Sequence, residues 1–423
     1  MPEKKAAFSK YQIFVIAVLA ILQFSVILDF MVLSPLGAIL IDKLNIQTTQ
    51  FGLVVSAYAF SAGISGFLAA GFADRFDRKK LLLFFYTGFL LGTVCCALAP
   101  SYHYLLIARI ITGIFGGVIG SVGFAIISDL FAMETRGRVM GFVQMAFSAS
   151  QVLGIPVGLY LANHFSWHAP FWMIAGFGFI VCLVILIYMK PINAHLQQPQ
   201  EKNPFKHVFS TLSKSVYLQA FLATTLLATG GFMMMPFGSA YSTNNLGLSM
   251  EQLPLLYGIT GVFTIIVGPL IGKLSDKMGK YVMFCAGSAV TIAVIVFYTR
   301  LGVTPFWIIT AFSVVMFAAI SSRMISASAL LTAVPDMKDR GAFMSINSSI
   351  QQLAGGIGSY AAGRIIVQGP NGILLHYEVM GNVVIGSILI TVLMMYFLNQ
   401  TVQRKLAATA PGVSANSSTA PAV

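Results

Sequence analysis

The sequence predicts an all-α polytopic membrane protein: twelve transmembrane helices in two pseudo-symmetric six-helix halves, with both termini cytoplasmic. Three observations carry that expectation. They are an apolar supply large enough for about twelve spans, a charge asymmetry between alternate loops, and a turn sequence that recurs in each half. The first is arithmetic. Of 423 residues, 57% are hydrophobic and 9% charged, with a mean hydropathy of +0.85. A soluble chain carries about 25% charged and 45–50% apolar residues. Twelve spans of about 21 residues take roughly 250 residues, which leaves short loops and no sizeable extramembrane domain. An ordinary soluble enzyme, a nucleic-acid binder and a disordered scaffold are excluded.

In chain order the apolar runs predict spans at 11–34, 51–73, 81–100, 104–128, 139–162 and 169–190, then 216–241, 253–272, 281–300, 305–333, 342–367 and 377–399. The first run is long and has no small-residue cleavage site after it, so it reads as a retained helix. The only long interior break follows span six and holds three prolines. The predicted organisation is therefore a first half at 1–190, a cytoplasmic linker at 191–215, a second half at 216–400, and an Ala/Ser/Thr/Pro-rich disordered tail at 401–423.

Charge sets the orientation. With the N-terminus inside, 20 of the 25 Lys and Arg residues fall in cytoplasmic segments. Lys43, Arg300 and Arg364 lie at outer loops or helix ends, and Arg109 and Arg323 lie within spans. Cytoplasmic loops collect basic residues, so the net charge of +12 needs no polyanionic partner. Cys95, Cys96, Cys182 and Cys285 all fall in apolar runs, so no disulfide framework is expected. No His/Cys spacing suggests a metal.

The repeat is a cytoplasmic turn. GFADRFDRKK from Gly71 is echoed by GKLSDKMGKY from Gly272, and ETRGRVMG from Glu134 more weakly by KDRGAFMS from Lys338. Duplicated six-helix halves with equivalent turns describe a transporter built from parallel repeats.

These residues resemble the major facilitator superfamily over nearly the whole chain. The turn pattern G-x-x-x-D-R/K-x-G-R/K is intact at Gly272, Asp276, Lys277, Gly279 and Lys280. The first-half copy keeps Asp74, Arg75, Arg78 and Lys79 but has Ala70 and Asp77 at two glycine positions. Arg109 to Gly113 resembles the span-four R-x-x-x-G signature, and Leu28-Asp29-Phe30 the acidic span-one motif. Gly154, Pro156 and Gly158, followed by a tryptophan loop, are similar to span five of arabinose-efflux-permease-like exporters in the twelve-span drug–proton antiporter group. The resemblance implies secondary active, proton-coupled efflux of a drug, sugar or metabolite from the bacterial inner membrane. It implies no cofactor beyond the proton as coupling ion.

Of thirteen acids, only Asp29 lies well inside an apolar helix. A charge there costs about 2.5–3.5 kcal/mol on insertion scales and marks a functional candidate. Helical rise puts Asp29 about 27 Å from the inner end of span one, and Arg109 roughly 8 Å below the outer start of span four. Both fall in the outer third and are expected to meet, either as a proton-coupling pair or as a static ion pair. Arg323 has no acid at its depth, which keeps an anionic substrate in play. Asp74, Arg75, Arg78, Gly272, Asp276, Lys277 and Gly279 are expected to form a gate clasp reaching the opposite half. Gly154, Pro156 and Gly158 permit close packing and bending in span five. Gln23, Tyr58, Gln144, Gln151, Asn244, Asn347 and Gln351 are polar groups on apolar helices, expected to line a substrate pathway with Arg323. Met233, Met234 and Met235 offer adaptable apolar surface.

The leading expectation is a monomeric proton-coupled exporter of a small molecule, with the lipid bilayer as its setting. The alternative is an organic-anion carrier or exchanger using Arg109 and Arg323. An enzyme is not expected, since the spans hold no histidine, acid pair or metal constellation. A sensor would need a signalling domain, and an ATP-driven pump a GxxxxGK[ST] phosphate loop.

Overall fold

A computed structural model of the chain describes residues 8–69, 72–197, 210–335 and 339–409. Helix α1 spans Lys10–Val32 and opens on a capping box. Gln12 N donates to Ser9 Oγ at 3.2 Å, and Ser9 N to Gln12 Oε1 at 3.0 Å, so two first-turn donors are satisfied. The chain breaks at Ser34-Pro35, where proline has no N–H to continue the ladder, and resumes as α2 (Gly37–Lys43). There follow α3 (Thr48–Ala69), α4 (Arg78–Ala97) and α5 (Tyr102–Leu130). The fifth long stretch is α6 (Met133–Ala149), a π-turn at Ser150–Gly154, and α7 (Ile155–His164). Pro156 cannot bond back to Val152, and Ile155 N donates instead to Ser150 O, five residues earlier. Next come α8 (Ala169–Tyr188), α9 (Ser215–Met234), α10 (Gly238–Asn244), α11 (Gln252–Met278), α12 (Lys280–Tyr298), α13 (Phe306–Ala333), α14 (Arg340–Ile365) and α15 (Tyr377–Thr409).

Ten of the described helical segments are long and apolar enough to cross a membrane. The α6–α7 stretch and α14 occupy the fifth and eleventh predicted positions. Two expectations change. The predicted span 216–241 is broken at Pro236 and ends in the short helix α10, whereas α1 ends at Val32, close to its predicted end, with Pro35 and the short α2 following it. Residues 401–409 continue α15 as helix and do not begin a disordered tail. The rest of that tail, 410–423, and linker residues 198–209 lie outside the described residues.

The two broken ends meet. Ser239 Oγ donates to Ser34 O at 3.0 Å, Ser34 Oγ to Met235 O, and the rings of Phe51 and Phe237 lie 5.7 Å apart. A continuous apolar core at this sealed end takes Leu33, Leu36 and Phe51 from the first half of the chain, and Phe237, Tyr241 and Tyr377 from the second. Across it, Thr48 Oγ1 donates to Ile366 O at 2.6 Å. A two-residue hairpin, Val367 opposite Leu375 and Gln368 opposite Leu374, closes the loop before α15.

The opposite end carries the basic residues Arg75, Arg78, Lys79, Lys80, Lys273, Lys277 and Lys280. Here the apolar core divides. One cluster uses only residues before Asn193, around Leu82, Phe89, Ile126 and Ile185. The other gathers Phe221, Phe284, Leu330, Phe343 and Leu398, with Phe67 of α3 against it. Helices α3 and α14 run together between the two ends. Their closest approach needs glycine on both sides: a Cβ on Gly52 would sit 2.9 Å from Ser359 O, and one on Gly363 2.9 Å from Thr48 O.

Candidate functional site

Asp29 lies in the last turns of α1 and Arg109 near the start of α5, and the structure brings them together. Arg109 Nη1 donates to Asp29 Oδ2 at 2.7 Å and to Asp29 O at 3.4 Å. Both side chains are 0% exposed. Thr93 Oγ1 donates to the other carboxylate oxygen at 3.4 Å. The guanidinium sits 4.5 Å above the Tyr58 ring, and its Nε and Nη2 have no hydrogen-bond acceptor. The buried pair is held by charge-assisted hydrogen bonds from Nη1 and by the π face of Tyr58, with two guanidinium donors left unserved.

The span-five motif packs against the turn of α1 that carries Asp29, at Leu28 and Val32. A Cβ on Gly154 would lie 2.4 Å from Leu28 Cδ1, and one on Gly158 2.7 Å from Val32 Cγ2. The small-residue face therefore seats the stretch of α1 that carries Asp29. Pro156 points the other way, and its Cγ lies 3.8 Å from the Cβ position of Gly258 on α11. At the π-turn, Ser150 Oγ donates to Phe24 O at 3.2 Å, a second link to α1.

The candidate pathway residues disperse. Tyr58 is 1% exposed and is committed to Arg109. Gln23 is half-buried beside Gly120, where a small cavity is lined by Leu19, Leu22 and Ile119. Thr224 Oγ1 donates to Asn347 Oδ1 at 2.6 Å, tying α9 to α14, with half-buried Gln351 one turn further along. Arg323 is 6% exposed, lies 5.6 Å from the Phe284 ring centre, and has no acceptor for its Nε. Asn244 is exposed at the sealed end, where its amide donates to Gly372 O at 2.8 Å. It secures a loop and does not line a pathway. The side chains of Gln144 and Gln151 lie outside the described residues. Met233 is buried, with Met234 and Met235 packed against the sealed-end core.

Among the described side chains, the turn residues have partners close by in the chain. Arg78 Nε donates to Asp129 Oδ2 at 2.9 Å and Arg78 Nη1 to Ala73 O at 3.1 Å, all within the first half of the chain. Asp276 pairs with Lys280 one turn away, and Gly279 bridges α11 and α12 at φ +98°. Asp276 is 73% exposed and Gly272 faces open space. Arg75 and Lys277 are exposed, and the side chain of Asp74 lies outside the described residues. Asp129, placed by sequence only at a helix end, is the acid that Arg78 needs. His195 Nδ1 lies 3.3 Å from the same carboxylate oxygen. Among the described residues, no group of three His, Cys, Asp or Glu side chains is arranged to hold a metal.

Comparison with known proteins agrees with the fold. The sequence model of the Major Facilitator Superfamily matches residues 19–359. The chain is 30% identical over 262 residues to the uncharacterized MFS-type transporter YceJ of Bacillus subtilis, covering 61% of this chain and 66% of YceJ. It is 24% identical to the inner membrane transport protein YdhP of Escherichia coli over 85% of this chain and 91% of YdhP. It is also 32% identical to Multidrug resistance protein 3 of B. subtilis, over 35% of this chain and 29% of that protein. Among solved structures, a mutant of the nucleoside transporter NupG superposes with a TM-score of 0.70 at 14% identity, covering 91% of this chain and 99% of NupG. An inward-facing, unoccupied bacterial homolog of the lysosomal transporter Spinster gives 0.67 at 17% identity, covering 96% and 100%.

Proposed function

Because the chain belongs to the Major Facilitator Superfamily, and is therefore a multi-pass membrane transporter and not an enzyme, we propose that it is a proton-coupled exporter of a small molecule. The observation that carries this reading is the fully buried Asp29–Arg109 pair. In the proposed cycle a proton entering from the outer face binds Asp29 and releases Arg109. Loss of that proton to the cytoplasm restores the pair. Residues 1–190 and 216–400 act as two six-helix halves that rock about the joined end, with 191–215 as the cytoplasmic linker. One shared core at the sealed end and two separate cores at the basic end support an arrangement open toward the basic end. The basic end is the cytoplasmic one on the rule that such residues stay inside, which puts both termini there. Bacterial relatives support a bacterial inner membrane, and the multidrug resistance relative supports drugs among the candidate cargoes. The exporter works as a monomer, without a cofactor.

Arg323 favours a second reading. A guanidinium that is 6% exposed with an orphaned Nε suits a solute bearing a carboxylate or phosphate. The test is transport in proteoliposomes with an imposed pH gradient and a lumenal pH dye, across sugars, lipophilic cations and organic anions. Substrate-dependent proton movement that disappears in Asp29→Asn is the expected result. Substrate movement without proton flux, unchanged in Asp29→Asn and lost in Arg323→Ala, overturns antiport in favour of an anion carrier.

A further inference from the structure

Arg323 lies within α13, about 15 Å by helical rise from the end of that helix at Ala333. It is 6% exposed and its Nε is enclosed without an acceptor. Among the described residues, no acidic side chain stands near enough to offset its charge. A charge at that depth is costly unless it is paired. We propose that Arg323 holds a compact monovalent anion, and that its occupant is a free inorganic ion of the halide class, the counter-ion of this guanidinium.

Charge sets the sign and the valence. The Phe284 ring of α12, its centre 5.6 Å from the guanidinium, offers a π face but no neutralising charge. Among the described residues of the second half, two enclosed side-chain polar atoms lack a partner. They are Arg323 Nε and the hydroxyl of Ser288, which lies one turn along α12 from Phe284. Both can donate. Enclosed donors with no acid beside them call for an acceptor from outside the chain. No second cation acts on Arg323, so a single negative charge balances it and a dianion would leave an excess.

Room sets the size, because α12 and α13 touch at this level. Ser322, next to Arg323, donates from its Oγ to Met283 O at 3.1 Å. A Cβ on Gly287 would lie 3.0 Å from Ala319 O and 3.0 Å from Ser322 Cβ. The Phe284 ring beneath the guanidinium is itself 0% exposed. A bulky solute carrying a carboxylate would need these helices to part, whereas a halide ion is little larger than a water molecule. A free ion therefore fits beside Arg323 where the carboxylate of a cargo does not. The site lies within α12 and α13 and does not rest on proton coupling at Asp29.

The test is binding of radiolabelled chloride to the purified full chain in detergent, with gluconate as the background anion and thermal stability followed in parallel. Saturable binding that stabilises the wild type is expected, with nitrate displacing the label where sulfate and benzoate do not. Arg323→Met and Arg323→Gln are expected to weaken chloride binding at least about tenfold. With no buried charge left to balance, both variants are expected to be as stable without chloride as with it. Asp29→Leu/Arg109→Met removes the other buried guanidinium and is expected to keep the binding. No saturable chloride binding to the wild type, or wild-type affinity in both Arg323 variants, overturns the proposal. Loss of binding in Asp29→Leu/Arg109→Met alone moves the ion to Arg109 and overturns it as well. Benzoate displacing the label as well as nitrate does gives the site to the carboxylate of a cargo and overturns the free-ion assignment.

Discussion

Asp29→Asn is the most informative single change in this protein. The replacement keeps the volume of the side chain and an oxygen for Thr93, but removes the only acid that Arg109 touches. Arg109 is 0% exposed, its Nε and Nη2 already lack acceptors, and Nη1 is left with the neutral amide and the carbonyl of residue 29. Breaking a buried pair by removing one partner costs about 3–5 kcal/mol, because the other charge stays buried and uncompensated. The Tyr58 ring at 4.5 Å recovers at most about 2 kcal/mol and is already counted in the wild type. Unfolding in a denaturing-detergent titration, read by tryptophan fluorescence, is therefore expected to show Asp29→Asn less stable by about 3–5 kcal/mol. The double variant Asp29→Leu/Arg109→Met removes both charges and is expected within about 1.5 kcal/mol of wild type. A single variant that loses less than about 1 kcal/mol, or a double variant as unstable as the single, would refute the claim that an uncompensated buried guanidinium dominates.

Three further outcomes follow from the same geometry. Tyr58→Phe keeps the ring under Arg109 and is expected near wild type, whereas Tyr58→Leu loses about 0.5–2 kcal/mol in the same titration. Gly154→Leu forces atoms into Leu28, where a Cβ alone would lie 2.4 Å from Cδ1. It is expected to lose at least about 1–3 kcal/mol by overpacking and to abolish transport, while Gly176→Ala, at a glycine with open space around it, changes neither. For Arg78 and Asp129, paired at 2.9 Å and 5% and 18% exposed, a double-mutant cycle with Arg78→Gln and Asp129→Asn is expected to give a coupling of about 1–2 kcal/mol. A coupling near zero would show that solvent screening dominates there.

What the sequence made legible was whatever depends on period and depth. Apolar runs located the long helices, and helical rise placed Asp29 and Arg109 at one level before any contact was known. The ends were less legible, because a proline inside an apolar run looks the same whether it kinks a helix or ends it. Pro236 ends α9 inside its predicted span, and short helices turn across the sealed end after both Pro35 and Pro236. Partner choice among neighbours was least legible. Tyr58 is a phenol on an apolar helix whether it faces a pathway or a guanidinium, and only the crossing of α3 and α5 decides. Asp129 could have been singled out as an acid closing a long apolar helix on the side of the basic turns. Asn244 misled because it lies just past the predicted span 216–241, at the end of the short helix that follows Pro236, where its amide serves the loop at Gly372.

The central claim is that Asp29 takes up a proton in place of Arg109, and it can be tested without knowing the cargo. Infrared difference spectra between acidic and alkaline buffer would be recorded on purified wild type, Asp29→Asn and Asp129→Asn, the last as a control outside the pair. The account predicts a protonated-carboxyl band from a water-shielded site in wild type and Asp129→Asn that is missing in Asp29→Asn. The same band in all three proteins, or no such band in wild type, would contradict it and leave Asp29–Arg109 as a static tie between α1 and α5.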